Sequence, residues 1–424
     1  MIRFLLKGIL RDRSRSVLPI TVVATGVALV VIMTGYINGV LGEIVDQSAR
    51  FDTGHVKVMT RAYAEEISQL PNDLALLGTD QLKGELQALE PDMIWTERIR
   101  SGGLLDIPDK NGESRGQGPV AITAINLLDD KVGEVERMNI PNALVSGQLP
   151  QRTGEVLIGH DFSEKLGVNL GDQVTFMGTT MNGAMSFENF TVSGTLRFGM
   201  PALDKGAMVI DLYAARRILD MENGAGEILG FLPNETYDEN RALALAAKFN
   251  ESMAVEEDEF TPTMRALSEQ NNLGAYLKQT AAMAGLFTFI FVLAMSVVLW
   301  NTGLLGGLRR YKEFGIRLAL GEPKGRIYRS QLLEALIVGL IGSCVGLVIG
   351  LGITYYLQVV GIDTGDLMQD SSMLVPPVLR AKITPQLFWI GFIPGVLAIL
   401  IGTALSGLGI FRRETARLMK EMEV

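Results

Sequence analysis

The sequence carries a single cysteine, Cys344, so no intrachain disulfide framework is open to it and no cysteine cluster can hold a metal. Its two histidines, His55 and His160, lie far apart without companion ligands. A zinc site needs at least about three protein ligands, so both read as structural or surface residues. No Gly-x-x-x-x-Gly-Lys-Ser/Thr is present to cradle phosphates; Gly321-Glu-Pro-Lys-Gly325 has the wrong spacing and no strand before it. Gly361-Ile-Asp-Thr-Gly-Asp366 is unlike a membrane aspartyl protease, because no partner Asp occupies an apolar run. These absences leave no catalytic centre and no metal site in the chain, which reads as a non-enzyme.

Charge is missing in a more instructive way. Four stretches contain no Asp, Glu, Lys or Arg: 17–41, 280–308, 335–362 and 383–411. Each exceeds the roughly 20 residues that cross a hydrocarbon core of about 30 Å. In lipid every backbone amide must be satisfied within its own segment, so all four predict membrane helices. The first is too long for a secretory signal and lacks an Ala-x-Ala-like exit, so it reads as an uncleaved anchor.

Basic residues then set the orientation. Five Lys or Arg precede the first run, seven lie in 309–329 and four follow Phe411, whereas 361–386 holds only Arg380 and Lys382. Both termini and the second connection are therefore expected in the cytoplasm of a multi-pass inner-membrane protein. The predicted order is a cytoplasmic tail 1–16, helix 17–41, extracytoplasmic domain 42–279, helix 280–308, cytoplasmic segment 309–334, helix 335–362, external loop 363–382, helix 383–411 and tail 412–424.

The outer segment holds 20 basic and 37 acidic residues, a net charge of −17. Nothing in it forms a basic stripe along phosphates, which argues against nucleic acid as a partner. Short β-branched runs such as His55–Met59, Glu155–Ile158, Gln173–Phe176 and Phe190–Ser193 alternate with helical patterns over 79–90, 211–220 and 240–251. An α+β domain with helices layered on a sheet follows. Residues 109–118 read as a surface hairpin, and 256–277 as a helical stalk running into the second membrane helix.

The cytoplasmic segment contains Arg-x-x-Glu-x-Gly-Ile-Arg-Leu-Ala-Leu-Gly from Arg310 to Gly321, with Glu334-Ala335 opening the next helix. This resembles the signature of the FtsX-like permeases, the ABC transporter group containing MacB-type exporters and the LolC and LolE lipoprotein-release subunits. Val145–Pro150, Gly154–Gly159, Leu166–Asp172 and Val192–Thr195 resemble the same family's MacB-like periplasmic core domain. The one-plus-three helix layout matches as well.

The resemblance implies a fold of four transmembrane helices plus an α+β extracytoplasmic domain. It implies a permease subunit working with a second permease copy or a sibling on a cytoplasmic P-loop ATPase dimer, which would bind the ATP and Mg. The chain itself needs no cofactor. Arg310, Glu313, Phe314, Gly315, Ile316, Arg317, Leu318, Ala319, Leu320 and Gly321 become the ATPase-coupling residues. From the residues alone, an amphipathic segment here fits either a partner's groove or the lipid headgroups.

Layout and the separate ATPase are closest to LolC and LolE, which implies lipoprotein release, with a periplasmic chaperone or adaptor and membrane lipid as further partners. Peptide or drug export and FtsX-like activation of a cell-wall hydrolase are the alternatives. Gly35 and Gly39, and the ladder Gly342, Gly346 and Gly350, are spaced for close helix packing. Glu334 is an edge charge, functional if buried and an ordinary interfacial charge if not.

Overall fold

The computed structural model describes residues 13–109, 112–199, 201–233, 235–253, 258–308, 311–363 and 378–412. Arg310, the tail up to residue 12, the loop over 364–377 and the tail from 413 lie outside the described residues. Two compact units result: Met1–Gly42 with Gln279–Ile362 and Val378–Val424, and Glu43–Lys278 with Asp363–Pro377. Among the described residues four helical spans, Val17–Thr53, Leu273–Leu308, Lys324–Val359 and Leu387–Leu408, are long and apolar enough to cross a membrane. The first helix, α1 (Arg13–Ser48), has 36 residues, about 54 Å at 1.5 Å per residue, and so outlasts its uncharged core at both ends.

In the second unit ten strands form the main sheet among the described residues: β1 (Val56–Thr60), β2 (Ile94–Pro108), β3 (Ser114–Ile125), β4 (Leu144–Gly147), β5 (Glu155–Gly159), β6 (Gln173–Thr179), β7 (Met185–Leu196), β8 (Ala207–Asp211), β9 (Glu227–Phe231) and β10 (Pro262–Ala266). Their order is β10-β1-β9-β2-β3-β8-β5-β7-β4, and β6 bridges β7 back to β2. The pairing of β2, β3, β8, β5, β7 and β6 therefore closes into a small barrel. Ile99, Ile122, Val156, Phe176, Val192 and Ile210 fill it. Alternation dictates this: β6 buries Val174 and Phe176 and exposes Gln173 and Thr179. A Cβ at Gly103 of β2 would lie 2.2 Å from the Phe176 ring, so only glycine fits there.

The remaining layer, β10-β1-β9 with the first half of β2, buries every residue of β1, a central strand covered on both faces. Helices α2 (Thr79–Leu89) and α3 (Glu239–Ser252) lay Leu82, Leu86, Leu245 and Phe249 on this core. The layered arrangement expected from sequence thus describes one half of the domain, and the barrel is the other. The 109–118 segment does join two antiparallel strands, β2 and β3. The predicted stalk is interrupted: Pro262–Ala266 is strand β10, paired along all of β1, and α4 (Leu273–Leu308) starts only after it.

In the first unit the segment after α4 contains a short helix, α5 (Tyr311–Ala319), followed by α6 (Lys324–Val359) and finally α7 (Ile399–Arg412). Ahead of α7 the helix widens into a π turn over Ile393–Ala398, where Pro394 has no N–H to close a normal turn. Val23, Val27, Val31, Leu299, Val338 and Ile399 make the buried seam.

Candidate functional site

Helix α5 has two faces. One is internal: Phe314, 4% exposed, packs on the fully buried Ile327 at the start of α6, with half-buried Leu318 beside them. The other is bare. Ile316 is 53% exposed and Leu320 82%, with Arg317 and Ala319 exposed between them. The turn is fixed by Gly321 at φ 87°: Glu322 N–H donates to Arg317 O and Gly321 N–H to Leu318 O, both at 3.0 Å, a Schellman arrangement that needs a left-handed residue. Pro323 follows and starts α6. Thus Phe314, Gly315 and Leu318 hold the helix in place, Gly321 ends it, and Ile316, Arg317, Ala319 and Leu320 form the outward surface. The alternation of Ile316, Leu318 and Leu320 among polar residues invites a single apolar face, and the structure separates Leu318 from the other two.

Glu313 and Glu334 line one cleft of about 410 Å³, together with Gln331, Thr302, Thr403 and Leu18. Gln331, 5% exposed, donates from Nε2 to Ser406 Oγ at 3.2 Å. Glu334 is half-buried here, so the edge charge faces a polar recess between helices. Gln331, Thr302 and Thr403 were not singled out from sequence: isolated threonines in apolar runs are ordinary, and Gln331 lies among the charges of 309–334.

The glycines sit at contacts. Cβ atoms at Gly342, Gly346 and Gly350 would lie 2.7 Å from Val23 Cβ, 2.4 Å from Ala24 O and 2.9 Å from Val31 Cβ, so the ladder of α6 runs along one face of α1. Gly35 meets Thr354 and Leu387, and Gly39 meets the backbone of Arg380 and Ala381. Gly303, Gly307, Gly402 and Gly407 make comparably close approaches; the first two share the four-residue spacing, and the last two do not.

In the sheet unit, Val45 and Ala49 at the end of α1 and Leu273 and Leu277 at the start of α4 pack on Leu229, Phe231 and Leu267. His55 sits beside this cluster, 2% exposed, its Nδ1 accepting from Leu232 N–H at 2.9 Å. Burial, and then the neighbouring Arg137 guanidinium, push it from its ordinary 6.5 down to about 4. The unfolded chain therefore binds a proton here that the folded one refuses, and stability falls as pH drops from 6.5 towards 4. We expect amide exchange at Leu232 and along β9 to accelerate at least tenfold between pH 7 and 4.5, after correction for intrinsic rates, and His55→Asn to flatten that dependence. An unchanged profile in the variant would assign the acid sensitivity to other groups.

Comparison with known proteins follows the same division. Residues 16–252 match the MacB-like periplasmic core domain family, and residues 285–415 match the FtsX-like permease C-terminal family. The lipoprotein-releasing system transmembrane protein LolC of Xylella fastidiosa is 24% identical over 208 residues, 48% of each chain. The macrolide export ATP-binding/permease protein MacB of Wolinella succinogenes is 33% identical over 92 residues, 22% of this chain and 13% of that one. The alignments thus span about half or less of these curated relatives. The crystal structure of the periplasmic region of MacB from Actinobacillus actinomycetemcomitans aligns at 13% identity and a TM-score of 0.35, covering 56% of this chain and 98% of that one. With the larger match covering more than half of the chain and the second taking in three of its four apolar helices, this multi-pass membrane protein belongs to the FtsX-like permease family of ABC transporters and carries a MacB-like extracytoplasmic core domain.

Proposed function

We propose that the chain is the permease subunit of an inner-membrane ABC transporter whose separate P-loop ATPase subunits, holding ATP and Mg, dock beneath α5 and drive the release of lipoproteins. The observation that carries the reading is the exposed pair Ile316 and Leu320 on a helix pinned by Phe314 and Ile327, within the segment that matches the FtsX-like family. Single exposed apolar residues are common, but two a turn apart on a connecting helix make the kind of anchor that fills a partner's groove. In this reading both termini and α5 face the cytoplasm.

The nearly unpacked α4, with Phe287, Phe289, Ile290 and Leu293 about half exposed or more, meets lipid and a second permease copy or sibling. Lipoprotein release takes precedence over export because LolC aligns over the longer stretch. A periplasmic chaperone or adaptor would receive the cargo.

The test is affinity purification in mild detergent with mass spectrometry of bound protein and lipid. A soluble P-loop ATPase near one-to-one with the chain, and acylated protein bound, are the expected results. An outer-membrane duct would replace release by export, and a cell-wall hydrolase without lipid-linked cargo would replace it by signalling. No ATPase in several detergents would overturn the permease reading.

A further inference from the structure

Helix α1 does not stop at Ser48. It passes directly into a π turn, Ala49–Thr53, which ends where Gly54 adopts φ 60° and its N–H donates to Ala49 O at 2.9 Å. Single π turns are uncommon and concentrate at working positions. This one is held from three directions. Arg98 of β2 donates through Nη2 to Arg50 O at 2.6 Å. Gln270, just before α4, donates through Nε2 to Thr53 O at 3.2 Å. Asp52 makes the third set. Its Oδ1 lies 3.2 Å from Lys57 Nζ of β1 and 2.8 Å from Arg100 Nη1 of β2, and its Oδ2 accepts from Asn271 Nδ2 at 3.0 Å.

Lys57 and Arg100 are in turn joined by Glu227 of β9, at 3.1 Å and 2.5 Å. Two carboxylates and two cations therefore balance. Lys57 and Glu227 have no side-chain exposure, whereas Asp52 is 33% exposed. Asp52 is the member of the quartet that solvent can take over when the contact opens. Asn271 and Asn272, at φ 50° and 56°, are left-handed residues that turn the chain from β10 into α4. A single carboxylate thus meets the ends of both helical connections and two strands of the sheet.

We propose that Asp52 is a latch that locks the last turn of α1 and the approach to α4 onto the sheet, and that it is the positioning residue through which helix movement reaches the extracytoplasmic domain. The inference rests on the permease reading. With the latch closed, the π turn and the Asn271 corner move with β1 and β2 as one body. With it open, Lys57 and Arg100 keep Glu227 as partner, so the sheet survives while the π turn and the Asn271 corner lose their shared carboxylate and are left with the weaker hold of the Arg98 and Gln270 hydrogen bonds and the apolar contacts beneath them.

The experiment is hydrogen–deuterium exchange on the full chain with its copurifying ATPase in lipid nanodiscs, with and without ATP plus vanadate, following peptides over 44–58 and 267–278. The wild type is expected to change exchange in both peptides together on nucleotide trapping. Asp52→Asn should cut that nucleotide-dependent change at least fivefold while ATPase association and basal hydrolysis stay within about twofold, and Asp52→Glu should restore it. Asn271→Gly keeps the left-handed backbone and removes only the bridging amide, so it tests the latch without a buried charge imbalance, and it should uncouple 267–278 from 44–58. An undiminished nucleotide response in either Asp52→Asn or Asn271→Gly overturns the latch. Failure of the wild type to retain any ATPase overturns the permease reading itself, a different result from an intact complex that ignores Asp52.

Discussion

Replacing Ile316 and Leu320 together by Asn is expected to strip the ATPase from the permease while leaving the permease folded. Both side chains are mostly solvent-exposed in the isolated chain, so polar replacement costs the fold little, within about 0.5 kcal/mol for an ordinary surface position. Burying each in a partner's groove contributes about 1.5–3 kcal/mol, and a buried unpaired amide would cost more. Losing even about 3 kcal/mol weakens association roughly 100-fold.

Asn is preferable to Asp in this test, because a carboxylate beside Gly321 would sit at the negative end of α5 and disturb the helix itself. The informative contrast is Phe314→Ala. Phe314 is buried against Ile327, so its loss removes the support of α5 and should lower both thermal stability and ATPase binding. The measurement is pull-down of the ATPase at graded concentration, beside a melting curve of the permease in detergent. If the double Asn variant binds normally, α5 is only an interfacial anchor among lipid headgroups. If it binds poorly and also melts early, the exposed face has an internal role that its exposure conceals.

Whether Leu318 belongs to the docking face could have been settled without coordinates. At 100° per residue, positions 314 and 318 share one side of a helix and 316 and 320 the opposite side. Reading the apolar residues at 316, 318 and 320 as one face uses a strand's period on a helix. The membrane helices were legible because absence of charge over more than 20 residues is a local property that survives any packing. Strands β1, β5, β6 and β7 were legible for the same reason, their β-branched runs being continuous.

What stayed hidden was non-local. Barrel closure depends on β6 pairing not only with its sequence neighbour β7 but also with β2, where Leu104↔Met177 joins residues far apart in sequence. Lys57 in Val-Lys-Val reads as a solvent-facing strand residue until Asp52 and Glu227 arrive to neutralise it. Strand β10 lay inside what looked like a stalk although Pro262 is a local break in any helix there; that the residues from Pro262 form a strand is decided by pairing with β1.

Gly346→Ala should be the most damaging single-methyl change along the glycine ladder of α6. The added Cβ would meet Ala24 O at 2.4 Å, Val27 Cβ at 2.8 Å and Ala24 Cα at 3.0 Å, so two of its three nearest neighbours are backbone that no rotamer change can move aside. Gly352, on the same helix, has nothing within 4 Å of the corresponding position. It therefore supplies the control: Gly352→Ala removes a poor helix former at no packing cost and should leave stability unchanged or slightly raised. In lipid there is little hydrophobic force to push α1 and α6 together, and their association rests on close van der Waals contact. Forcing them apart should cost on the order of 1–3 kcal/mol, and Gly346→Leu more. The expected reading is a melting temperature several degrees below wild type for Gly346→Ala in detergent, against no loss for Gly352→Ala. Equal melting of the two alanine variants would mean that α1 yields freely at Ala24, and the glycine ladder would then be a property of membrane helices in general. A selective loss would instead make the α1–α6 seam a fixed joint, so that displacement entering at α5 and the adjoining start of α6 is passed to α1 rather than absorbed between them.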